Sequence, residues 1–411
     1  MYIWKSLTTN QIKERIFSAL QKNVDYKERT ILGVPASHLD EKVFNRDMGF
    51  LEDAPFLSSM VYNPNHIGCH TMGESEAFFA GTQEIEKELI EIVAVDILKA
   101  EPNQCDGYVA SGGTEANIQA MWIYRNYFKK EFGAKHDEVA ILCSDDSHYS
   151  MPKAANILNI PLISAAVDDN TRLVDPVKLQ VQLKEAKENG VKHVIVIVNM
   201  MTTMFGSVDR IETYTEALKE CGLDYKVHVD GAYGGFVYPF SDDKSDLLLD
   251  NPEVNSVTLD AHKMVQAPFG TGIFIIRKEW MQYATTEEAQ YVEGMDATVI
   301  GSRSGANAIS IWMILMTYGP HGWFEKIHIL NYRTSWLCEQ LDELGVEYYR
   351  HPASNLVTMR AAHIPADIAH KYGIVPDSHN DNPKWYKIVV MGHVTVDHLL
   401  PFIEDLKKIK Q

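Results

Sequence analysis

The sequence is short of cysteine. It has five in 411 residues, Cys69, Cys105, Cys143, Cys221 and Cys338, with no CxxC pair and no zinc-ligand spacing. So few and so scattered, they exclude a disulfide framework and fit a reducing compartment. Positive charge is scarce too: 38 Lys and Arg stand against 56 Asp and Glu, a formal net charge of −18. That field repels polyanions, so neither nucleic acid nor an anionic membrane is an expected partner. The densest cationic run, Lys407-Lys408-Ile409-Lys410, closes a helical pattern, where it complements the dipole. No apolar run approaches the ~20 residues of a membrane helix; the longest lies around 194–201. The opening Met1-Tyr2-Ile3-Trp4-Lys5-Ser6 lacks the charged-then-apolar pattern of a secretory leader, and a cytoplasmic chain is expected. No metal site is expected either. His66 and His70 have helical ligand spacing, but Gly68 between them and Pro64 before them argue against a helix there.

What is present has ordinary globular proportions, 45% hydrophobic and 23% charged, with no internal repeat or linker. Apolar spacing predicts an amphipathic helix over 8–24, with Ile12, Ile16, Phe17 and Leu20 on one stripe. A loop-rich stretch over 31–75 and a helix over 76–99 follow. From about 105 to 280 short Val- and Ile-rich runs alternate with helical segments. Strands are predicted over 139–143, 162–166, 193–199, 226–229, 256–259 and 272–276, and helices over 114–130, 175–189 and 210–221. Runs without polar alternation read as strands covered on both faces, hence an α/β domain with a mostly parallel sheet. Helices over 305–318 and 323–344, strands near 355–360 and 386–391, and a helix over 395–409 predict a smaller α/β lobe. The expected division is 1–75 for an N-terminal helix and loop segment, 76–310 for the large domain and 311–411 for the small one.

Four short features carry chemistry, three of them directly after predicted strands. Ser111-Gly112-Gly113-Thr114-Glu115-Ala116-Asn117 opens a helix, and a Gly pair there lets backbone approach an anion beside free N–H groups. It lacks the GK[ST] ending of a nucleotide loop. Asp146-Ser147-His148-Tyr149-Ser150 offers an imidazole. Val227-His228-Val229-Asp230-Gly231-Ala232-Tyr233-Gly234-Gly235 sets an acid at the sheet's carboxyl edge, where open α/β folds bind ligands. Asp260-Ala261-His262-Lys263-Met264 sets a lysine there, and a buried amine forms an imine with an aldehyde. Singly, each reads as a turn or cap. Together, a phosphate cradle, an imine-forming lysine, a carboxylate for a pyridine nitrogen and a ring to stack on it specify pyridoxal 5′-phosphate.

On these motifs the sequence resembles the group II pyridoxal-phosphate-dependent amino-acid decarboxylases, across roughly residues 60 to 400. It is most similar to the short bacterial and archaeal members, the PLP-type histidine and archaeal tyrosine/aspartate decarboxylases. The resemblance implies the fold type I (aspartate aminotransferase-like) architecture. It implies that Lys263 binds the cofactor aldehyde, Asp230 pairs with the ring nitrogen, His148 stacks on the ring and Ala232 packs beneath it. Gly113, Thr114 and His262 would hold the phosphate. A tyrosine on a loop protonates the product carbon in this family; Tyr291 aligns best, with Tyr283 as fallback. Gly301-Ser302-Arg303-Ser304-Gly305 matches an element that reaches a neighbouring subunit, with Ser302 on its phosphate and Arg303 close by. That implies a homodimer with shared active sites. In the stretch Asn199-Met200-Met201-Thr202-Thr203, Met201 stands where the family has glycine, while Thr203 and Asn199 are still expected to face the cofactor.

The implied reaction is α-decarboxylation of an L-amino acid to an amine and CO2. The family draws its side-chain pocket from the N-terminal segment, here 63–74, with Asn65 and His66 as candidate contacts. Arg360 is the candidate for the substrate carboxylate, against the plain alternative of a surface arginine. A polar or aromatic substrate is expected, in the histidine, tyrosine, aspartate or glutamate class. Two readings compete: a C–C lyase of the sphingosine-phosphate aldolase type, and a catalytically silent cofactor-binding homologue.

Overall fold

The computed structural model describes residues 71–73, 80–241, 245–284 and 296–409, with residues 10, 30, 32–33, 40, 42–43 and 66–68 of the N-terminal segment. The expected helix over 8–24 (residue 10 apart), Asn65 and Tyr291 lie outside the described residues. In chain order the strands are β1 (His66–Gly68), β2 (Cys105–Ala110), β3 (Val139–Ser144), β4 (Leu162–Ala165), β5 (His193–Asn199), β6 (Asp224–Gly231), β7 (Val254–Asp260), β8 (Gly272–Arg277), β9 (Arg303–Ser304), β10 (Tyr348–Tyr349), β11 (Leu356–Arg360), β12 (Val375–Pro376) and β13 (Trp385–Val389). The α-helices are α1 (Ala80–Ile92), α2 (Gly113–Phe132), α3 (Ser150–Leu158), α4 (Pro176–Glu188), α5 (Ile211–Cys221), α6 (Gly305–Glu343), α7 (Ala366–Lys371) and α8 (Val396–Ile409).

Seven strands form one sheet in the order β2-β8-β7-β6-β5-β3-β4. Strands β4, β3, β5, β6 and β7 run parallel, and β8 runs antiparallel to both its neighbours. Every residue of β3 and β5 is buried, as unbroken apolar strands must be when both faces are covered. The parallel strands and β2 therefore end at one edge, and β8 starts there. The chain leaves β3 towards β4 but leaves β5 towards β6, so connections diverge between β3 and β5. That divergence opens the crevice in which α/β sheets receive ligands.

The small lobe is an antiparallel sheet, β10-β11-β13-β12, with α8 packed on α6. Helix α6 spans both predicted helices. The break expected between them is a kink at Gly319 (φ 61°), and Pro320 follows, where the missing N–H costs least. Besides α7 and the short strands β10 and β12 of the small lobe, β2, α3 and the β1–β9 ribbon were not foreseen. Strand β2 contains Asp106 and Gly107, which read as turn residues; a side chain on Gly107 would strike the Phe274 carbonyl at 2.2 Å, so the tight strand pairing requires glycine. Helix α3 contains Pro152, harmless in a first turn. The ribbon of β1 and β9 pairs His66 with Ser304 and Gly68 with Arg303, joining the candidate substrate segment to the Gly301–Gly305 element. Among the described residues no helix is long and apolar enough to cross a membrane.

Candidate active site

A cavity of about 320 Å³ opens at the sheet edge where the strands end. Lys263 reaches it from a π-helical turn, Ala261–Val265, directly after β7, a local widening that recurs at functional sites. The turn is tied to the start of β8 by the Ala261 N–H donating to the Thr271 carbonyl at 2.8 Å. Asp260 Oδ2 lies 3.3 Å from Lys263 Nζ and 3.6 Å from His262 Nε2. Burial holds the His262 imidazole below its usual range, with Asp260 opposing.

Asp230, near the end of the neighbouring strand β6, lines the same cavity. Its Oδ2 accepts from Asn117 Nδ2 at 2.9 Å and its Oδ1 from the Ala232 N–H at 3.1 Å. Both donors are neutral, so neither cancels the carboxylate charge. Asn117 is itself fixed: its second amide proton goes to Ser150 Oγ (3.2 Å) and its Oδ1 faces His228 Nε2 (2.9 Å). His228 Nδ1 then meets Ser256 Oγ at 2.7 Å, which accepts from the Tyr124 hydroxyl at 2.6 Å. Complete burial pushes the His228 imidazole down to about 4, so it is neutral and donates through Nε2. The chain Tyr124–Ser256–His228–Asn117 therefore orients Asp230 without lending it charge.

His148 follows β3. Its Nδ1 accepts from the Ser150 backbone N–H at 3.2 Å, which places the proton of the neutral ring on Nε2. Burial lowers its pKa, Asp230 acting against and Lys263 with that effect. Across the cavity, the loop Ser111–Gly113 enters α2. Gly112 adopts φ 152° and ψ 169°, a combination essentially confined to glycine, and offers no side-chain cap. The first N–H groups of a 20-residue helix are left pointing at the cavity, a ready anion site. Glu115 does not compete, because its oxygens accept from the Tyr108 hydroxyl (2.7 Å) and the Ser111 N–H (2.6 Å).

These residues fit pyridoxal 5′-phosphate. Asp260 Oδ1 and His262 Nδ1 are buried with no hydrogen-bond partner among the described residues, a costly state that a polar ligand relieves. The cradle is also tight: a side chain on Gly113 would come within 2.9 Å of Asp260 Oδ2 and 3.0 Å of Ala232 Cβ.

Of the residues singled out from sequence, Lys263, Asp230, His148, Gly113, Thr114, Thr203, Ala232 and His262 all line this cavity. Ser302 does not; it is exposed in the bend before β9. Arg303, expected near a substrate, turns inward instead. Its guanidinium bonds Glu86 Oε2 at 2.6 Å, both side chains are 1% exposed, and it lies over the Tyr108 ring. Arg360 is likewise elsewhere, bound to Asp169 and Glu347 at 3.0 Å each and stacked on Trp385, which leaves the surface alternative standing. Tyr283 packs on α2 with its hydroxyl on Glu131, away from the cavity. Asn117, Asp260 and His228 lie inside the quoted motifs but were given no role. The signal was there: His228 and Asp230 are two apart on one strand and so share a face.

Fold and site together define a fold type I pyridoxal 5′-phosphate enzyme. The pyridoxal-dependent decarboxylase conserved domain matches residues 56–361, and the chain belongs to that family. It is 47% identical over 411 residues to a tryptophan decarboxylase of Clostridium sporogenes, covering 100% of this chain and 99% of the other. It is 33% identical over 375 residues to a probable L-tyrosine/L-aspartate decarboxylase of Methanocella arvoryzae, covering 87% and 94%. A solved sphingosine-1-phosphate lyase of Burkholderia pseudomallei shares the fold, with TM-score 0.80 at 18% identity over 99% of this chain and 92% of the other. The protein is a pyridoxal 5′-phosphate-dependent amino-acid decarboxylase, a carboxy-lyase of amino-acid metabolism.

Proposed function

We propose that the substrate is an aromatic L-amino acid, tryptophan first, decarboxylated to its amine in the cytoplasm by a homodimer with shared sites. The observation that carries the substrate is the 47% identity to a tryptophan decarboxylase along the whole chain. Cavity chemistry supports it. Tyr149 and Phe269 stand at its rim, 63% and 81% exposed, and Lys263 is the one Lys or Arg among the described residues lining it.

The bound cofactor supplies an aldehyde for the substrate amine and a cationic ring that accepts the electron pair left when CO2 departs. Lys263 would hold the cofactor's aldehyde carbon. Asp230 keeps the ring nitrogen protonated through a charge-assisted hydrogen bond. His148 covers the ring, with its Nε2 proton free to donate. Gly113, Thr114 and His262 would bind the phosphate, and Ala232 and Thr203 would contact the ring. Ser302 completes the phosphate site of the second subunit. Asn65 and His66 contact the substrate side chain, and Tyr291 delivers the proton to Cα. The division 1–75, 76–310 and 311–411 assigns these parts to the N-terminal segment, the large domain and the small domain.

The test is CO2 release from the twenty amino acids, with Lys263→Ala as the blank. Tryptophan at the head of the ranking is expected. An aldehyde product without CO2 would identify Cα–Cβ cleavage instead, and light scattering at the monomer mass would remove the shared site.

A further inference from the structure

Met201 is a residue in the wrong conformation for its type. It has φ 70°, lines the cavity, and is 3% exposed. The left-handed region is costly for any residue carrying a Cβ and persists only where the surroundings enforce it. The enforcement is visible on two sides.

On the large-domain side, the Met200 N–H donates to the Asp230 carbonyl at 2.9 Å, and a bridge between Met200 and Val208 closes the loop. Within it the Thr202 N–H donates to the Ser207 carbonyl and the Gly206 N–H to the Thr202 carbonyl, both at 2.9 Å. The turn after β6 presses on the same peptide: a Cβ on Gly234 would lie 2.2 Å from the Met200 carbonyl oxygen and 3.0 Å from Met201 Cβ.

On the small-lobe side, Lys387 Nζ donates to the Thr203 carbonyl at 2.9 Å, and Thr358 Oγ1 donates to the Met204 carbonyl at 2.8 Å. Phe205 sits edge-on to Tyr349 and Trp385. Register explains the grip: Tyr349 pairs with Thr358 and Thr358 with Lys387, one row across three strands. Lys387 is 5% exposed, burial pushes its amine down to about 8 with Lys263 adding to that effect, and among the described residues no carboxylate pairs with it. A cation buried so that its amine ends on a single carbonyl is an expensive anchor, and its chemistry is used on the pocket wall.

We propose that Met201 is a specificity-determining wall of the substrate cavity, and that Lys387 and Thr358 are positioning residues by which the small lobe holds that strained wall in place. This rests on the decarboxylase reading for its kinetic arm only. Replacing Met201 by glycine removes the strain and the side chain together. Replacing Lys387 by methionine removes the anchor but leaves apolar bulk.

Three variants test it: Met201→Gly, Lys387→Met and the double substitution. The first readout needs no activity. Amide exchange of peptide 200–208 in the cofactor-free protein should speed at least tenfold in Lys387→Met, as Met201 relaxes. The double variant should exchange like Met201→Gly alone, because no strain remains to be held. Equal acceleration by Lys387→Met in both backgrounds would overturn the coupling. The second readout is CO2 release from L-tryptophan, L-tyrosine, L-phenylalanine and L-histidine. Met201→Gly should change the ratios of kcat/KM among them by tenfold or more, and Lys387→Met should raise KM more than it lowers kcat. Ratios within twofold of wild type would overturn the specificity role. If wild-type enzyme releases CO2 from none of the four, the substrate proposal fails while the exchange experiment still decides the anchor.

Discussion

Asn117 is the hub through which the interior reaches Asp230, and Asn117→Ala isolates its effect. The substitution deletes the 2.9 Å bond to Asp230 Oδ2, leaving that carboxylate with the Ala232 N–H at 3.1 Å. A hydrogen bond to a charged group contributes about 1.5–3 kcal/mol. The other losses are softened. His228 Nε2 retains Thr258 Oγ1 at 3.1 Å as an acceptor, and Ser150 Oγ retains His148. The net penalty is therefore about 2 kcal/mol, and most of it falls on the orientation of Asp230. Expressed in the barrier at 1.36 kcal/mol per decade, it lowers kcat by about 10- to 30-fold. Initial rates of CO2 release at saturating cofactor measure this, with the thermal midpoint beside them, which should fall by only a few degrees. Asn117→Asp is the harsher control, since two carboxylates at that separation cannot both ionise. A kcat for Asn117→Ala within twofold of wild type, with cofactor bound, would show that Asp230 needs no orienting partner and refute the reasoning.

Asp230→Ala should lose kcat by two orders of magnitude or more while cofactor affinity changes far less; near-native turnover would take the ring-nitrogen role from it. Lys263→Ala should release no CO2 and leave no borohydride-stable cofactor on peptide 260–264, whereas wild type is labelled there. Arg303→Met strips the partner from buried Glu86 and should cost about 3–5 kcal/mol in urea unfolding, with turnover per folded molecule retained; unchanged stability with lost turnover would return Arg303 to the substrate. Acid stability has a signed component from His228. The folded protein protonates it only below about 4, whereas the unfolded chain does so below ~6.5. Between those values the unfolded state binds more protons, so this contribution, about 3 kcal/mol, is present above the upper value and lost as pH falls to the lower. Asp209, raised by burial to about 6, opposes it over part of that window. The difference between wild type and His228→Asn in unfolding free energy from pH 7 to 4 therefore isolates the histidine, and parallel curves would contradict its burial as a neutral ring.

What was legible in the sequence was short-range. The strand-end motifs declare themselves because a parallel sheet presents successive strand ends at one edge, so four local patterns sum to one site. Lys263, Asp230, His148 and the Gly112-Gly113 loop needed no knowledge of which strands are neighbours. Arg303 failed for the opposite reason. Its surroundings come from α1 and β2, which adjoin it only after the chain has travelled through the whole large domain, and a guanidinium cannot announce that its partner is Glu86 rather than a substrate. Arg360 failed alike: Asp169 lies in a distant loop, and Glu347 comes opposite it only once β10 pairs with β11.

Met201 shows how far one letter can be read. As a departure from the family's glycine it was visible at once, but sequence treats it only as added bulk. Glycine at such a position licenses a left-handed backbone, so keeping the backbone after losing the glycine requires something to hold it. The holding residues are Lys387 and Thr358, more than 150 residues away and adjacent only through the register of β11 and β13. Specificity at this wall is thus a property of two lobes rather than of one residue. Changing Met201 without the anchor, or the anchor without Met201, should give enzymes that differ in substrate ranking even where every cofactor contact is unchanged.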